Sequence, residues 1–170
     1  MPDDEALIWR GPMLMGALQQ MLGQVQWGQL DVLLVDLPPG TGDVQMTLSQ
    51  KVNVTGAVIV STPQDIALLD AKKGIDMFKR MEVPLLGFVE NMASFICDGC
   101  GKEHHPFGNG GAKAEAEKQG MPFLGEIPLD LAIRVASDGG VPMVVAKPSS
   151  PQAKAFLDIA DQLIASEVLN

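Results

Sequence analysis

Four short apolar runs constrain this chain more than any other feature. Residues 31–36 (Asp-Val-Leu-Leu-Val-Asp), 56–61 (Gly-Ala-Val-Ile-Val-Ser), 84–89 (Pro-Leu-Leu-Gly-Phe-Val) and 122–127 (Pro-Phe-Leu-Gly-Glu-Ile) are each bounded by acids, Gly, Pro or Ser. Runs of this length without polar alternation read as strands covered on both faces. Helical patterns separate them. Leu14, Ala17, Leu18, Met21, Leu22 and Val25 predict a helix over 12–24, and another starts near Val44. Ile66, Leu69, Ile75, Met77 and Phe78 predict one over 64–80, and Ala, Glu and Lys predict one over 111–119. A short helix follows at 129–137. A last one over 151–168 has Ala153, Phe156, Leu157, Ala160, Leu163 and Ile164 on one face. Buried strands alternating with helices define an α/β chain: a mostly parallel sheet, helices on both faces and right-handed crossovers, in one domain over 1–170. Ligands in such sheets bind beyond the carboxyl ends of the strands. The residues to follow are therefore those after Asp36, Ser61, Glu90 and Ile127.

Charge and composition remove several function classes. With 12 basic and 21 acidic residues the net charge is −9, which argues against a nucleic-acid partner. No apolar run approaches the ~20 residues of a membrane span. The start, Met1-Pro2-Asp3-Asp4-Glu5, does not resemble a secretory or transit peptide. The polar face of the last helix carries Asp158, Asp161 and Glu167 against Lys154, a poor match to an anionic membrane. Two cysteines close together exclude a disulfide scaffold, and the expected location is cytoplasmic. Of the ten methionines, Met13, Met15 and Met21 fall on the first helix and read as packing rather than a binding groove.

The loop after Asp36 runs Leu37-Pro38-Pro39-Gly40-Thr41-Gly42-Asp43. An acid ending an apolar strand is costly unless it meets a cation or donors, and in phosphate-hydrolysing sheets it holds Mg²⁺ or its water shell. Gly40 and Gly42 permit close approach of backbone N–H groups to an anion. Thr41 or Asp43 suits the cap of the next helix, and Pro38-Pro39 stiffens the loop. Asn91, after the third strand, offers one donor and one acceptor, enough for an adenine edge or for a turn. Pro128 suits the first turn of a helix. Gln64 and Asp65 open a helix after the second strand.

The segment 94–111 holds Cys97-Asp98-Gly99-Cys100 among Gly, His and Phe. A redox pair belongs at a helix start after a strand, whereas Gly101 and a loop follow here. A zinc site with His104 and His105 needs wider spacing than Cys100 to His104 allows. Two such pairs across a two-fold axis make a four-cysteine set suited to [4Fe–4S] or zinc. Gly108, Gly110 and Gly111 predict a mobile loop unless a metal or partner orders it. His104 and His105 are expected as polar loop residues.

Taken in order, Trp9-Arg10-Gly11-Pro12, the string from Asp31 to Asp43, Ser61-Thr62-Pro63-Gln64-Asp65, Glu90-Asn91-Met92 and Cys97-x-x-Cys100 resemble the Mrp/ApbC-type iron–sulfur cluster carriers. These are deviant P-loop ATPases of the MinD/ParA-like superfamily, and the resemblance covers essentially the whole chain. It implies a labile [4Fe–4S] cluster held by Cys97 and Cys100, bridging a homodimer and passed from scaffold donors to apo-protein clients. It implies ATP and Mg²⁺, with Asp36 as the Walker B acid and Gly40, Thr41 and Asp43 in the switch that senses the γ-phosphate. It also implies Asn91 and Pro128 at the adenine, Gln64 and Asp65 near nucleotide or dimer interface, and Trp9 and Arg10 near the dimer surface.

One departure stands out: no G-x-x-x-x-G-K-[ST] string occurs. By resemblance the N-terminal strand and P-loop are missing, and Met1 is an internal methionine of a longer chain or the start of a shortened one. The expectations are weak nucleotide binding, negligible hydrolysis and a tendency of the isolated chain to associate through bared apolar surface. Two other readings are a MinD/ParA-like partitioning or scaffold ATPase, and a zinc-stabilised module.

Overall fold

The structure, a computed structural model, describes residues 11–38 and 40–166. Trp9, Arg10, Pro39, Glu167 and the side chain of Leu14 lie outside what is described. The chain forms two compact units, 1–54 and 55–170.

In the first unit α1 (Gly11–Gly23) packs against α2 (Asp43–Lys51). Trp27 Nε1 donates to the Met21 carbonyl at 2.9 Å and closes the end of α1. Leu48 and Gln45 of α2 are buried, whereas Met13 and Met21 are exposed, so these two methionines are not core residues of this unit. The strand expected over 31–36 is absent: the segment joins no ladder, and Leu34 is 87% exposed. Apolar character favours burial, but a strand exists only with a hydrogen-bonded neighbour. None of the described strands pairs with this segment.

The second unit holds the sheet. β1 (Ala57–Ser61), β2 (Leu85–Asn91) and β5 (Phe123–Ile127) lie in the order β1-β2-β5, parallel throughout. In register, Ser61 faces Glu90 and Glu90 faces Glu126, so all three carboxyl ends meet along one edge. Gly87, Phe88, Val89 and Glu90 are buried in succession. Side chains alternate between faces, so both faces of β2 are covered. β1 differs: Ile59 and Ser61 are buried but Val58 and Val60 are exposed, so this outer strand is covered on one face only.

α3 (Asp65–Arg80) packs on β1, α4 (Gly111–Gln119) on β2, and α7 (Pro151–Ile164) on β5. Leu68, Ile75 and Phe78 form the buried face of α3, while Ile66 and Leu69 point to solvent. Along α7 the core contacts are Ala155, Ile159 and Leu163, which pack on Val89, Leu124 and Ile127; Phe156, Leu157 and Ile164 stay exposed. Both helices carry apolar residues on more than one stripe, and contact with the sheet selects which is buried. Gln162 Nε2 donates to the Leu124 carbonyl at 2.6 Å, occupying an acceptor on the outer side of β5. α5 (Leu131–Asp138) and a short α6 (Met143–Ala146) connect β5 to α7. A two-residue antiparallel pair, β3 (Phe95–Ile96) with β4 (Glu103–His104), carries the cysteines at its turn.

Candidate functional site

The Asp36 loop belongs to the first unit. Asp36, Thr41 and Asp43 are exposed, and Gly40 takes a positive φ of 94° that favours glycine. The expected side-chain cap is not made: the N-cap of α2 is Gly42, and Asp43 is the first helical residue. There its carboxylate faces the positive end of the helix dipole. Sequence reading overlooked Gln45. Its buried amide nitrogen donates to the carbonyls of Pro38 (2.7 Å) and Gly40 (2.9 Å), clamping the loop onto α2. A Gln at the third helical position is the only sequence signal for this clamp.

The other candidates gather at the carboxyl edge of the sheet in the second unit. Gln64 is the N-cap of α3 by backbone geometry alone, and Asp65 is its first residue. Asn91 ends β2. Its Oδ1 accepts the Met92 N–H at 3.0 Å, where Met92 takes a positive φ of 55°. The turn role of Asn91 is therefore real, and its amide nitrogen keeps no protein partner among the described residues. Pro128 does not start a helix. The N-cap of α5 is Asp130, whose carboxylate accepts Ala132 N–H and Gln152 Nε2, each at 2.6 Å. Pro128 instead lies in the β5–α5 loop, where Leu129 N–H donates to the Ser94 carbonyl at 2.7 Å. That bond joins the Pro128 loop to the foot of the cysteine segment.

Cys97 and Cys100 are free thiols, the first partly exposed and the second exposed. Cys97 N–H donates to the Lys102 carbonyl (3.0 Å) and Gly101 N–H to the Cys97 carbonyl (2.7 Å), closing a tight turn. The N–H groups of Gly99 and then Cys100, with the Cys100 thiol, stabilise a Cys97 thiolate and hold its pKa below the ordinary thiol range. A thiolate is the form that binds iron or zinc.

The histidines do not join the pair. A carbonyl only accepts, so His105 Nδ1 donates to Ala93 O (2.9 Å), leaving Nε2 to accept from Asn109 Nδ2 (3.4 Å). His104 stands opposite Phe95 in the β3–β4 pair. Among the described residues no three His, Cys, Asp or Glu side chains gather around one point, so the Cys₂His₂ arrangement is not formed. The segment is also more firmly bonded than its glycines suggest. Its far end rests on Glu90, a fully buried carboxylate that accepts Gly110 N–H (3.0 Å) and Ala112 N–H (2.7 Å).

A parallel sheet with loops and helix starts at its carboxyl edge defines a class, the α/β proteins whose ligand sites lie beyond the strand ends. Comparison narrows it. The family model described as "ParA: NUBPL iron-transfer P-loop NTPase" matches residues 1–164, and the chain belongs to that family. An iron–sulfur cluster transfer protein NUBPL from Dictyostelium discoideum is 54% identical over 99% of this chain and 52% of its own length. An iron–sulfur cluster carrier protein from Escherichia coli K12 is 52% identical over 96% of this chain and 44% of its own. The chain thus spans about half the length of the curated relatives it matches. A nucleotide-binding protein from Archaeoglobus fulgidus, solved in complex with ADP, superposes with a TM-score of 0.70 at 41% identity, covering 84% of this chain and 58% of that one. The septum site-determining protein MinD from Pyrococcus horikoshii, complexed with Mg-ADP, gives 0.64 at 25% identity, over 91% and 57%.

Proposed function

We propose that this chain carries an iron–sulfur cluster as cargo on Cys97 and Cys100 and passes it to apo-protein clients. The observation that carries the reading is the Cys97–Cys100 turn: an accessible pair, a thiolate favoured by backbone N–H groups, and no further ligand beside it among the described residues. Two thiolates are half of the set a [4Fe–4S] cluster takes, so a second copy completes it and the cluster bridges a homodimer. An exposed site suits cargo that must leave. Relatives named as cluster transfer and carrier proteins support the same reading. Two reduced cysteines fit a cytoplasmic setting.

Nucleotide handling is the second half of the proposal. Asn91, with its unpartnered amide nitrogen, and Pro128 suit an adenine, with Gln64 and Asp65 at the adjoining strand end. Asp36, Gly40, Thr41 and Asp43 suit Mg²⁺ and the γ-phosphate; bound Mg²⁺ would neutralise charge developing on the phosphates. The sequence holds no Walker A string, so this chain alone is expected to hydrolyse ATP negligibly. A rate comparable to a relative that carries the string would refute that.

Anaerobic reconstitution with iron and sulfide, read by absorbance, bound metal and mass, tests the carrier reading. One four-iron cluster per two chains is expected. A Cys97→Ser/Cys100→Ser variant that keeps the full cluster, or a wild type that takes only zinc, overturns it.

A further inference from the structure

The cysteine segment leaves the sheet at the end of β2 and returns at the start of α4. Both feet meet at Glu90. Its backbone lies in β2, between Ser61 of β1 and Glu126 of β5, next to Asn91. Its carboxylate, fully buried, accepts Gly110 N–H and Ala112 N–H. Gly110 is the N-cap of α4 with a φ of 73°, so the chain turns sharply as it reaches the carboxylate. The near foot is also tied down, by Ala93 N–H to the Ile127 carbonyl (3.0 Å) and by His105 to the Ala93 carbonyl. A buried carboxylate is expensive unless its oxygens are bonded, and bonds from N–H groups at a helix start are of the stronger, charge-assisted kind.

We infer that Glu90 is a positioning residue for the cysteine pair: it closes the loop that presents Cys97 and Cys100 and sets how firmly that pair holds metal, without touching it. The inference rests on the carrier reading for its metal-binding consequence. The same residue joins the strand end that carries Asn91 to the segment that carries the cysteines. A shift of Glu90 along β2 would therefore move the α4 foot of the loop.

Glu90→Gln tests this, because it keeps the shape and loses one of the two acceptors. Gln offers a single carbonyl oxygen, so an NH₂ group meets one of the two N–H donors. If Glu90 served only to fill space, Gln would change little. Amide hydrogen exchange at Gly110 and Ala112 is expected to speed up about tenfold or more. Cobalt(II) loaded on the cysteines, followed by its thiolate absorption, should be lost to a chelator about tenfold faster. Unchanged exchange and unchanged cobalt loss overturn the inference.

Should the variant fail to fold, the wild type decides. Its Gly110 and Ala112 amides must exchange as slowly as those of Phe88 and Val89 in β2, and free-loop rates there refute the closure. A wild type that binds no cobalt through Cys97 and Cys100 overturns the carrier reading and the retention claim, while the exchange rates still judge the closure separately.

Discussion

Gly111 shows how tightly the start of α4 is set against the rest of its unit. A methyl built there would lie 2.8 Å from Leu68 Cδ1 and 2.9 Å from the Pro63 carbonyl oxygen. Leu68 can turn aside, but the backbone carbonyl of buried Pro63 cannot. Overpacking of this kind costs ~1–3 kcal/mol, whereas Ala in place of a helical Gly gains ~0.5–1 kcal/mol. Gly111→Ala should thus destabilise the second unit by ~1–2 kcal/mol. Gly74, inside α3 in the same unit, has nothing within 4 Å of its notional methyl. Gly74→Ala should stabilise by ~0.5–1 kcal/mol, the opposite sign from the same chemical change.

Urea unfolding followed by far-ultraviolet circular dichroism reads both variants. Fluorescence would not, because Trp9 and Trp27 both fall within 1–54. With a slope of about 1–3 kcal/mol per molar, the Gly111→Ala midpoint should fall by roughly 0.3 to 2 M at unchanged slope. A Gly111→Ala protein as stable as wild type would show that the α4 start is not held against Pro63, and the reasoning would fail.

Three further outcomes are expected. Burial raises the Glu115 pKa, but the Gln119 amide and the Lys72 ammonium (3.2 Å) outweigh it and hold the carboxyl below its ordinary value. Its stabilising contribution is therefore present above the ordinary carboxylate range and lost as pH falls through the lower folded value. Lys72→Met should cost about 1 kcal/mol at pH 7, reduced by the 39% exposure of the Lys72 side chain. It should also flatten the acid side of a stability–pH curve, and an unchanged curve would contradict the pairing. Cys97 should react with iodoacetamide at a lower midpoint pH in the folded protein than in urea, by peptide mass analysis; equal midpoints would remove the role given to the Gly99 N–H. Asp130→Ala removes the α5 cap and the bond from Gln152, at ~1–2 kcal/mol by thermal melting, and a neutral result would mean neither bond contributes.

By itself, the sequence settled the elements whose signal is local. The apolar runs at 56–61, 84–89 and 122–127 are strands, and the helices at 64–80, 111–119 and 129–137 fall within a residue or two of their expected ends. The cysteine pair stands out in the sequence because Cys-x-x-Cys is a contiguous pattern, and Asn91 and Pro128 because they stand at the ends of apolar runs that become strands. Tertiary structure decided everything that needs a partner. The run 31–36 has the composition of a strand, yet pairs with none of the described strands, since a ladder requires a neighbour and composition cannot name one. The apolar stripes expected on α3 and α7 are buried only in part, because each helix carries apolar residues on more than one side: Ile66, Leu69, Phe156, Leu157 and Ile164 stay exposed, and the sheet selects Leu68–Ile75–Phe78 and Ala155–Ile159–Leu163. His105 was legible only as a polar loop residue, and its bond to Ala93 needed the folded loop. Glu90 reads as one more residue of a motif. Only the fold brings Gly110 and Ala112, some twenty positions away, onto its buried oxygens, because a carboxylate shielded from water must be met by donors.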